Sequence, residues 1–153
     1  MWWSPPRPGW TKINTDGSAV GSPGITSCRG VFRMYMNFVH SCFDLSLTIL
    51  HVFEAELAGL IKALELAQSN HWFLLWIEAD SIYLVEVVRK CSRDVPWRFR
   101  AAWMRSLEFL ESVLFQISHV HREGNQLVDC LTSHGSSLDS FIVWHPGFLY
   151  FIY

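Results

Sequence analysis

Four acidic residues stand at points in the sequence where carboxylates from distant parts of the chain can meet. Asp16 ends a predicted strand, Glu56 borders the apolar stripe of a predicted helix, and Asp80 follows an apolar strand. Asp129 belongs to a short predicted helix. Clustered carboxylates suit hard ions such as Mg²⁺, which prefer oxygen ligands and keep several of their waters. Two such ions, about 3.5–4 Å apart, activate a water and stabilise the leaving oxygen when a phosphodiester is cleaved.

Each acid also has an ordinary structural interpretation. Asp16 could begin a hairpin turn of the Asp-Gly type, and Asp80 could cap the helix that follows it. Asp129 could lie on a solvated face, and Glu56 could pair with Lys62 or with an arginine. Spacing alone therefore does not separate a catalytic cluster from four unrelated acids.

The basic residues are concentrated in one window of a slightly acidic chain. The net charge is −2, which argues against a protein that coats nucleic acid through bulk electrostatics. Half of the basic residues lie between Arg89 and Arg105, where Asp94 is the single acid. This window either follows a phosphate backbone or forms a solvated helix face that packs through its aromatics. The interleaved aromatics are Trp97, Phe99 and Trp103.

Composition predicts one folded domain inside the cell. The 153 residues are 50% apolar, enough to bury a core without disulfides or a structural metal. The four cysteines are widely separated and form no CxxC motif, which favours reduced thiols. The N-terminus lacks the pattern of a signal peptide, and no apolar stretch approaches the roughly 20 residues of a membrane helix. We expect a soluble intracellular protein of the nucleus or cytoplasm, without membrane contact.

Three strands open the predicted fold. Residues 1–9 are rich in proline and form an extended lead-in. Gly17 is predicted to end the first strand, and residues 21–24 to form a turn before the second. The period-2 patterns make these strands an antiparallel meander. The predicted strands span residues 10–16, 25–33 and 38–48.

Helices and strands alternate in the rest of the chain. Apolar residues at spacings of three and four predict a helix over 52–69. A continuous apolar run predicts a buried strand over 72–77, and Ser81 suits the N-cap of the next helix. The result is a mixed sheet flanked by helices, in a domain of residues 10–135, with no assignment for 136–153. Further elements are a helix over 96–109, a strand over 114–120 and a helix over 124–133.

Five short motifs, in order along the chain, resemble one family. Residues 6–18, which end in Asn14-Thr15-Asp16-Gly17-Ser18, resemble the first strand of plant retroelement ribonuclease H domains. These domains are the reverse-transcriptase-like group of the type 1 ribonuclease H family. Each motif is weak alone, but five in the family's order are specific. The others are Gly30-Val31-Phe32-Arg33, Phe53-Glu54-Ala55-Glu56-Leu57, Ile77-Glu78-Ala79-Asp80-Ser81 and the block from Ser118 to Asp129.

The resemblance, which covers roughly residues 6 to 140, implies a fold and a set of site residues. The fold would be α/β, with a mixed five-stranded sheet of three antiparallel strands and then parallel strands, flanked by helices. His119 would be the mobile histidine that assists product release or proton transfer, with His121 as the second choice. The ligands of two Mg²⁺ ions, which Mn²⁺ could replace, would be Asp16, Glu56, Asp80 and Asp129.

The function that the resemblance implies is hydrolysis of the RNA strand of RNA/DNA hybrids, which leaves a 5′-phosphate. The 2′-hydroxyl group is the feature that lets a site select the RNA strand. The partner would be the hybrid, bound by a monomer without an obligate protein partner. The residues expected to contact nucleic acid are Gly17, Ser18, Arg98, Arg100, Arg105 and Arg122.

Two departures from the family pattern leave a second interpretation open. The segment 34–37 stands where the family has an Asp…Gly turn, and Val128 and Thr132 replace the alanines beside Asp129. A crowded Asp129 could shift from the position that metal catalysis needs. The alternative is a catalytically inactive ribonuclease H-like fold that serves as a nucleic-acid-binding or protein-interaction module. An active site would require Asp16 on a central strand, facing Asp80 on the neighbouring one.

Overall fold

Three long antiparallel strands form one side of the sheet, as the alternating sequence predicts. The computed structural model describes residues 6–21, 23–121 and 140–144. In the third strand the side chains of Phe43, Leu45 and Leu47 are buried, so the period-2 pattern points its apolar members into the core. The three strands are β1 (Thr11–Gly21), β2 (Gly24–Met34) and β3 (Phe38–Leu50).

The rest of the sheet is parallel and is accompanied by helices. The remaining elements are α1 (Val52–Ser69), β4 (Leu74–Ala79), α2 (Ile82–Arg89), α3 (Arg100–Glu111), β5 (Leu114–His119) and β6 (Ser140–Trp144). The strand order is β5-β4-β1-β2-β3-β6, with β4 and β5 parallel to β1 and β6 parallel to β3. The predicted mixed sheet of antiparallel and then parallel strands is confirmed. β6 adds a sixth strand at an edge for which the sequence made no prediction.

Gly17 lies inside β1, so the prediction that it ends the strand is wrong. The strand continues to Gly21 because Gly17 remains paired with Cys28 of β2. Gly21 then enters the predicted turn at 21–24 with a φ of 98°, a left-handed conformation that glycine adopts without steric cost.

The connection from β2 to β3 lies in the segment 34–37, where the sequence departs from the Asp…Gly turn of the family. It is a short 3-10 turn over Tyr35–Asn37, in which Met36 has a φ of 63°. A side chain in this left-handed region costs about 1–2 kcal/mol, which the glycine of the family pattern would avoid. Met36 is exposed, so its side chain adds no packing to offset that cost.

The helix predictions differ in accuracy. The bounds of α1 agree with the predicted 52–69, and the Ser81 side chain accepts a hydrogen bond from the Leu84 amide at 3.2 Å, as an N-cap does. The helix predicted over 96–109 begins instead as a 3-10 turn at Trp97–Phe99 and continues as α3. The helix predicted over 124–133 lies outside the described residues.

The main core lies where α1 and α3 cover one face of the sheet. Ile13 and Ile77 of the sheet are fully buried with Leu60 of α1 and Trp103 of α3. The Trp103 indole donates a hydrogen bond to the Ser92 carbonyl at 2.7 Å, which satisfies its polar atom in the core. The aromatics of the basic window therefore divide, because Phe99 and Trp103 belong to the core whereas Trp97 is exposed.

The thiols are not all reduced, which corrects the expectation from composition. Cys42 is disulfide-bonded, while Cys28 and Cys91 are free. Cys28 is buried beneath α1, and burial raises the pKa of its thiol. In the part of the chain that the structure describes, we find no helix of the length and apolarity needed to cross a membrane.

Candidate functional site

Asp16 lies inside β1 and Asp80 directly after β4, at the point where the pairing of these two central parallel strands stops. The register of β1 and β4 closes with Thr15 opposite Ala79, and the two aspartates are the next residues along the chain. One oxygen of each carboxylate, Oδ1 of Asp16 and Oδ2 of Asp80, is buried. The expected place of Asp16 on a central strand is confirmed, and Asp80 directly follows the neighbouring strand β4. Ser81 provides the N-cap of α2, so Asp80 is not needed for that purpose.

A buried network upstream fixes the register that brings the two aspartates together. Lys12 of β1 lies opposite Trp76 of β4, and Asn14 lies opposite Glu78. The Lys12 ammonium is 3.2 Å from Glu78 Oε1, to which Asn14 Nδ2 donates at 3.0 Å. The same ammonium lies 4.1 Å from the centroid of the Trp76 ring, a cation–π distance. A slip of one residue would break all three contacts, so the network holds Asp16 level with Asp80.

Burial disfavours the charged form of Lys12 in this network. Lys12 is fully buried, and desolvation lowers the pKa of its ammonium, while Glu78 acts in the opposite direction. The positive charge is therefore tolerated because Glu78 pairs with it. Lys12 and Asn14 therefore form a second buried face of β1, opposite the face that carries Ile13.

The N-terminal turn of α1 lies directly against Gly17. A Cβ atom at Gly17 would be 2.5 Å from the Glu56 amide nitrogen and 2.6 Å from the Ala55 carbonyl carbon. Only a residue without a side chain allows this approach. The Asp-Gly pair is therefore a helix-packing position, and it brings the backbone of Glu56 beside the residue that follows Asp16.

Glu54, two residues before Glu56, serves the start of the helix. Its Oε1 accepts a hydrogen bond from the His51 amide at 3.0 Å, which satisfies a donor at the N-terminus of α1. Its Oε2 is 3.9 Å from Arg98 Nε. Glu54 therefore caps α1, whereas Glu56 borders the candidate site. Arg98 lies beside the capping carboxylate of Glu54.

Arg29 is a residue near Asp16 that the sequence predictions missed. It lies opposite Asp16 in the β1–β2 register, and its Nη2 is 3.8 Å from Asp16 Oδ2. On its other side, Arg29 lies opposite Asp44 of β3. Both the pairing of β2 with β1 and its register must be known before these neighbours emerge, so no local motif could have indicated them.

The four predicted metal ligands are brought together only in part. Asp16 and Asp80 are adjacent, and Glu56 borders them through Gly17, whereas Asp129 lies outside the described residues. Among residues 6–21 and 23–121, no three His, Cys, Asp or Glu side chains form a group that could hold a metal ion. The donor chemistry fits a hard divalent ion, because Asp16, Glu56 and Asp80 offer oxygen atoms alone.

The two histidines lie at the same end of the sheet. His119 is the last residue of β5 and stands opposite Ala79, the residue before Asp80. The Val120 amide donates to the Ala79 carbonyl at 3.0 Å, which extends the pairing past the strand end. The rings of His119 and His121 are 5.6 Å apart in an edge-on arrangement. His119 of β5 therefore lies beside the residue that immediately precedes Asp80.

The predicted nucleic-acid contacts are spread over several elements. Ser18 is exposed near the end of β1, with its hydroxyl 3.0 Å from that of Ser27. Arg100 and Arg105 are exposed on α3, and Arg105 lines a cavity of about 290 Å³ between α1 and α3. Arg122 lies outside the described residues. The basic window runs from the last residue of α2 to the first half of α3.

Solved structures of ribonucleases H share this fold. Ribonuclease H1 of the halophilic archaeon Halobacterium salinarum has a TM-score of 0.69, covering 80% of this chain and 93% of that chain at 22% identity. The N-terminal ribonuclease H domain of a Mycobacterium tuberculosis protein has a TM-score of 0.70, covering 81% and 91% at 19% identity. LC11 ribonuclease H1, solved with an RNA/DNA hybrid, has a TM-score of 0.66, covering 76% and 88% at 19% identity. The fold is therefore that of ribonuclease H.

The sequence relationship defines the family more closely. The family model described as reverse transcriptase-like matches residues 14–135, and the chain belongs to that family. A protein of Arabidopsis thaliana, named as a ribonuclease H protein, is 33% identical over 138 residues. These residues make up 89% of this chain and 22% of the relative, so the chain spans about a fifth of the relative's length. The family predicted from the five motifs is confirmed.

Proposed function

We propose that this domain is a divalent-metal-dependent endonuclease that hydrolyses the RNA strand of RNA/DNA hybrids. The observation that carries the proposal is the parallel register of β1 and β4, which ends at Thr15 and Ala79, the residues immediately before Asp16 and Asp80. The approach of α1 to Gly17 adds the position of Glu56 to the same border. Membership of the reverse transcriptase-like family, and likeness to a ribonuclease H solved with a hybrid, support the choice of substrate.

The proposed chemistry depends on carboxylates held by rigid elements. Asp16, Glu56, Asp80 and Asp129 would hold two Mg²⁺ or Mn²⁺ ions, which when bound supply an activated water and relieve charge on the leaving oxygen. Asp16 and Asp80 each follow the last paired residue of strands whose register the buried Lys12 network fixes, so their carboxylates need little reorganisation. His119, level with Ala79, would carry a proton on its ring or assist release of the product.

The hybrid would lie across the end of β1. Ser18 is exposed there and offers a hydroxyl, whereas Gly17, the other expected contact on β1, is buried against α1. Such a hydroxyl can contact the 2′-hydroxyl groups that distinguish RNA from DNA. Arg100, Arg105 and Arg122 would add phosphate contacts, which position a nucleic acid without reading its sequence. In this proposal the domain acts as a monomer in the nucleus or cytoplasm.

Cleavage of a labelled RNA/DNA hybrid by the 153-residue chain in Mg²⁺ tests this proposal. Asp16→Asn removes a charged ion ligand and should lower the cleavage rate by at least about a hundredfold, since a bound metal contributes several kcal/mol. The matched control is Asp94→Asn, an exposed residue outside the site, which should leave the rate unchanged. Equal rates for Asp16→Asn and the unmodified chain would refute the proposed site.

A catalytically inactive module is the second candidate, and Arg29 favours it. Its guanidinium stands at the first acid, and the described residues contain no group of three metal-binding side chains. Such a module would bind the hybrid in a gel-shift measurement, but neither Mg²⁺ nor Mn²⁺ would induce cleavage. Cleavage that depends on Asp16 would exclude this alternative.

A further inference from the structure

Arg29 holds a fixed position between two carboxylate-bearing residues on neighbouring strands. It lies opposite Asp16 on one side and Asp44 on the other, and cross-strand partners project from the same face of a sheet. The side chains of Arg29 and Asp16 are 29% and 18% exposed, so solvent reaches the pair from one side. Because β2 is an interior strand, the backbone of Arg29 keeps its charge close to Asp16.

The position of this charge affects any cation that approaches Asp16. Arginine remains protonated under all ordinary conditions, so its charge cannot be removed by deprotonation. Its Nη2 is 3.8 Å from Asp16 Oδ2, which is within ion-pair distance but beyond a normal hydrogen bond. A divalent ion must therefore compete for the same carboxylate and accept repulsion from a nearby positive charge. A partly exposed pair of this kind is weak enough to be displaced.

We propose that Arg29 is a resident counter-cation of Asp16 that competes with the divalent ion and sets the ion concentration at which Asp16 becomes available. This inference rests on the proposed function, because it takes Asp16 as an ion ligand. Arg29 is accordingly a positioning residue: it acts through Asp16 and takes no part in the chemical step. Once displaced from Asp16, its guanidinium keeps Asp44, the residue paired with Arg29 on β3, as a neighbouring carboxylate.

The test measures Mn²⁺ binding to the full chain without substrate, by the electron paramagnetic resonance signal of the free ion. Arg29→Gln removes the charge and should tighten Mn²⁺ binding about threefold to tenfold, the size expected for a partly screened unit charge near a divalent ion. Arg29→Ala should do the same, and it provides a second variant should Arg29→Gln fold poorly. Arg29→Lys keeps the charge and should stay close to the unmodified chain.

The matched control is Arg93→Gln, which makes the same change of net charge at an exposed residue away from the site. It should leave Mn²⁺ binding unchanged, so a general electrostatic effect is excluded. Binding that Asp16→Asn weakens but that neither Arg29→Gln nor Arg29→Ala tightens would overturn the counter-cation proposal alone. Binding that Asp16→Asn does not weaken would instead overturn the metal site of the proposed function.

Discussion

Two ion pairs involving residues on β1 differ in what surrounds them. Lys12 and Glu78 are 3.2 Å apart with side chains 0% and 10% exposed, whereas Arg29 and Asp16 are 3.8 Å apart with side chains 29% and 18% exposed. The first pair also has Asn14 and the Trp76 ring as partners. Solvent screens the second pair but not the first. The buried pair therefore fixes the strand register. In the partly exposed pair, Asp16 can exchange the Arg29 guanidinium for another cation.

The largest effect should come from breaking the buried pair. Glu78→Gln leaves the Lys12 ammonium buried without its counter-charge and should lower the free energy of unfolding by about 3–5 kcal/mol, measured by urea denaturation. The control is Glu86→Gln, which breaks the exposed Lys90–Glu86 pair and should cost less than about 1 kcal/mol. Similar losses in both variants would contradict the distinction between buried and exposed pairs.

The second largest effect should be on how the free energy of unfolding depends on pH, which also depends on the buried Lys12–Glu78 pair. Burial lowers the pKa of Lys12 below 10.5, the ordinary value of a lysine, so between the folded and unfolded pKa values the unfolded chain binds more protons than the folded one. The free energy of unfolding contributed by Lys12 should therefore rise as the pH increases toward 10.5. Lys12→Met should remove this contribution and flatten the alkaline profile relative to the unmodified chain. An unchanged slope would mean that Lys12 does not titrate differently on folding.

The smallest effect on stability should come from breaking the partly exposed Arg29–Asp16 pair. Arg29→Gln should change the free energy of unfolding by less than about 1 kcal/mol, because screening and side-chain entropy offset most of the attraction. The same urea measurement checks it, with Arg93→Gln as the matched surface substitution. A loss as large as that of Glu78→Gln would make Arg29 a structural residue and weaken its assignment as an exchangeable counter-cation.

The accuracy of the sequence predictions followed the range of the interactions involved. The bounds of α1 agree with the prediction because its apolar period is a local property of residues 52–69. Ser81 was identified as an N-cap for the same reason, since its partner is the Leu84 amide three residues away. The order of helices and strands along the chain, and the mixed sheet that it implies, followed from these local patterns together with the resemblance to the family.

The wrong and missing predictions involved contacts between distant segments. Gly17 was interpreted as the end of a strand, whereas it lies inside β1, paired with Cys28 of β2 and packed against α1 at Glu56. The alternating pattern of β1 does not reveal that both of its faces are covered, which is why the burial of Lys12 was not predicted. Arg29 was absent from the site because a cross-strand neighbour depends on register.

The sequence by itself determined the periods of the helices and strands, the family, and the order in which the four acids occur along the chain. The tertiary structure decided which groups surround each acid: Asp80 and Arg29 beside Asp16, and the backbone of α1 at Glu56 against Gly17. The reason is physical. Local periods depend on backbone geometry within a few residues, whereas the environment of a charge depends on strand register and helix packing between segments far apart in sequence.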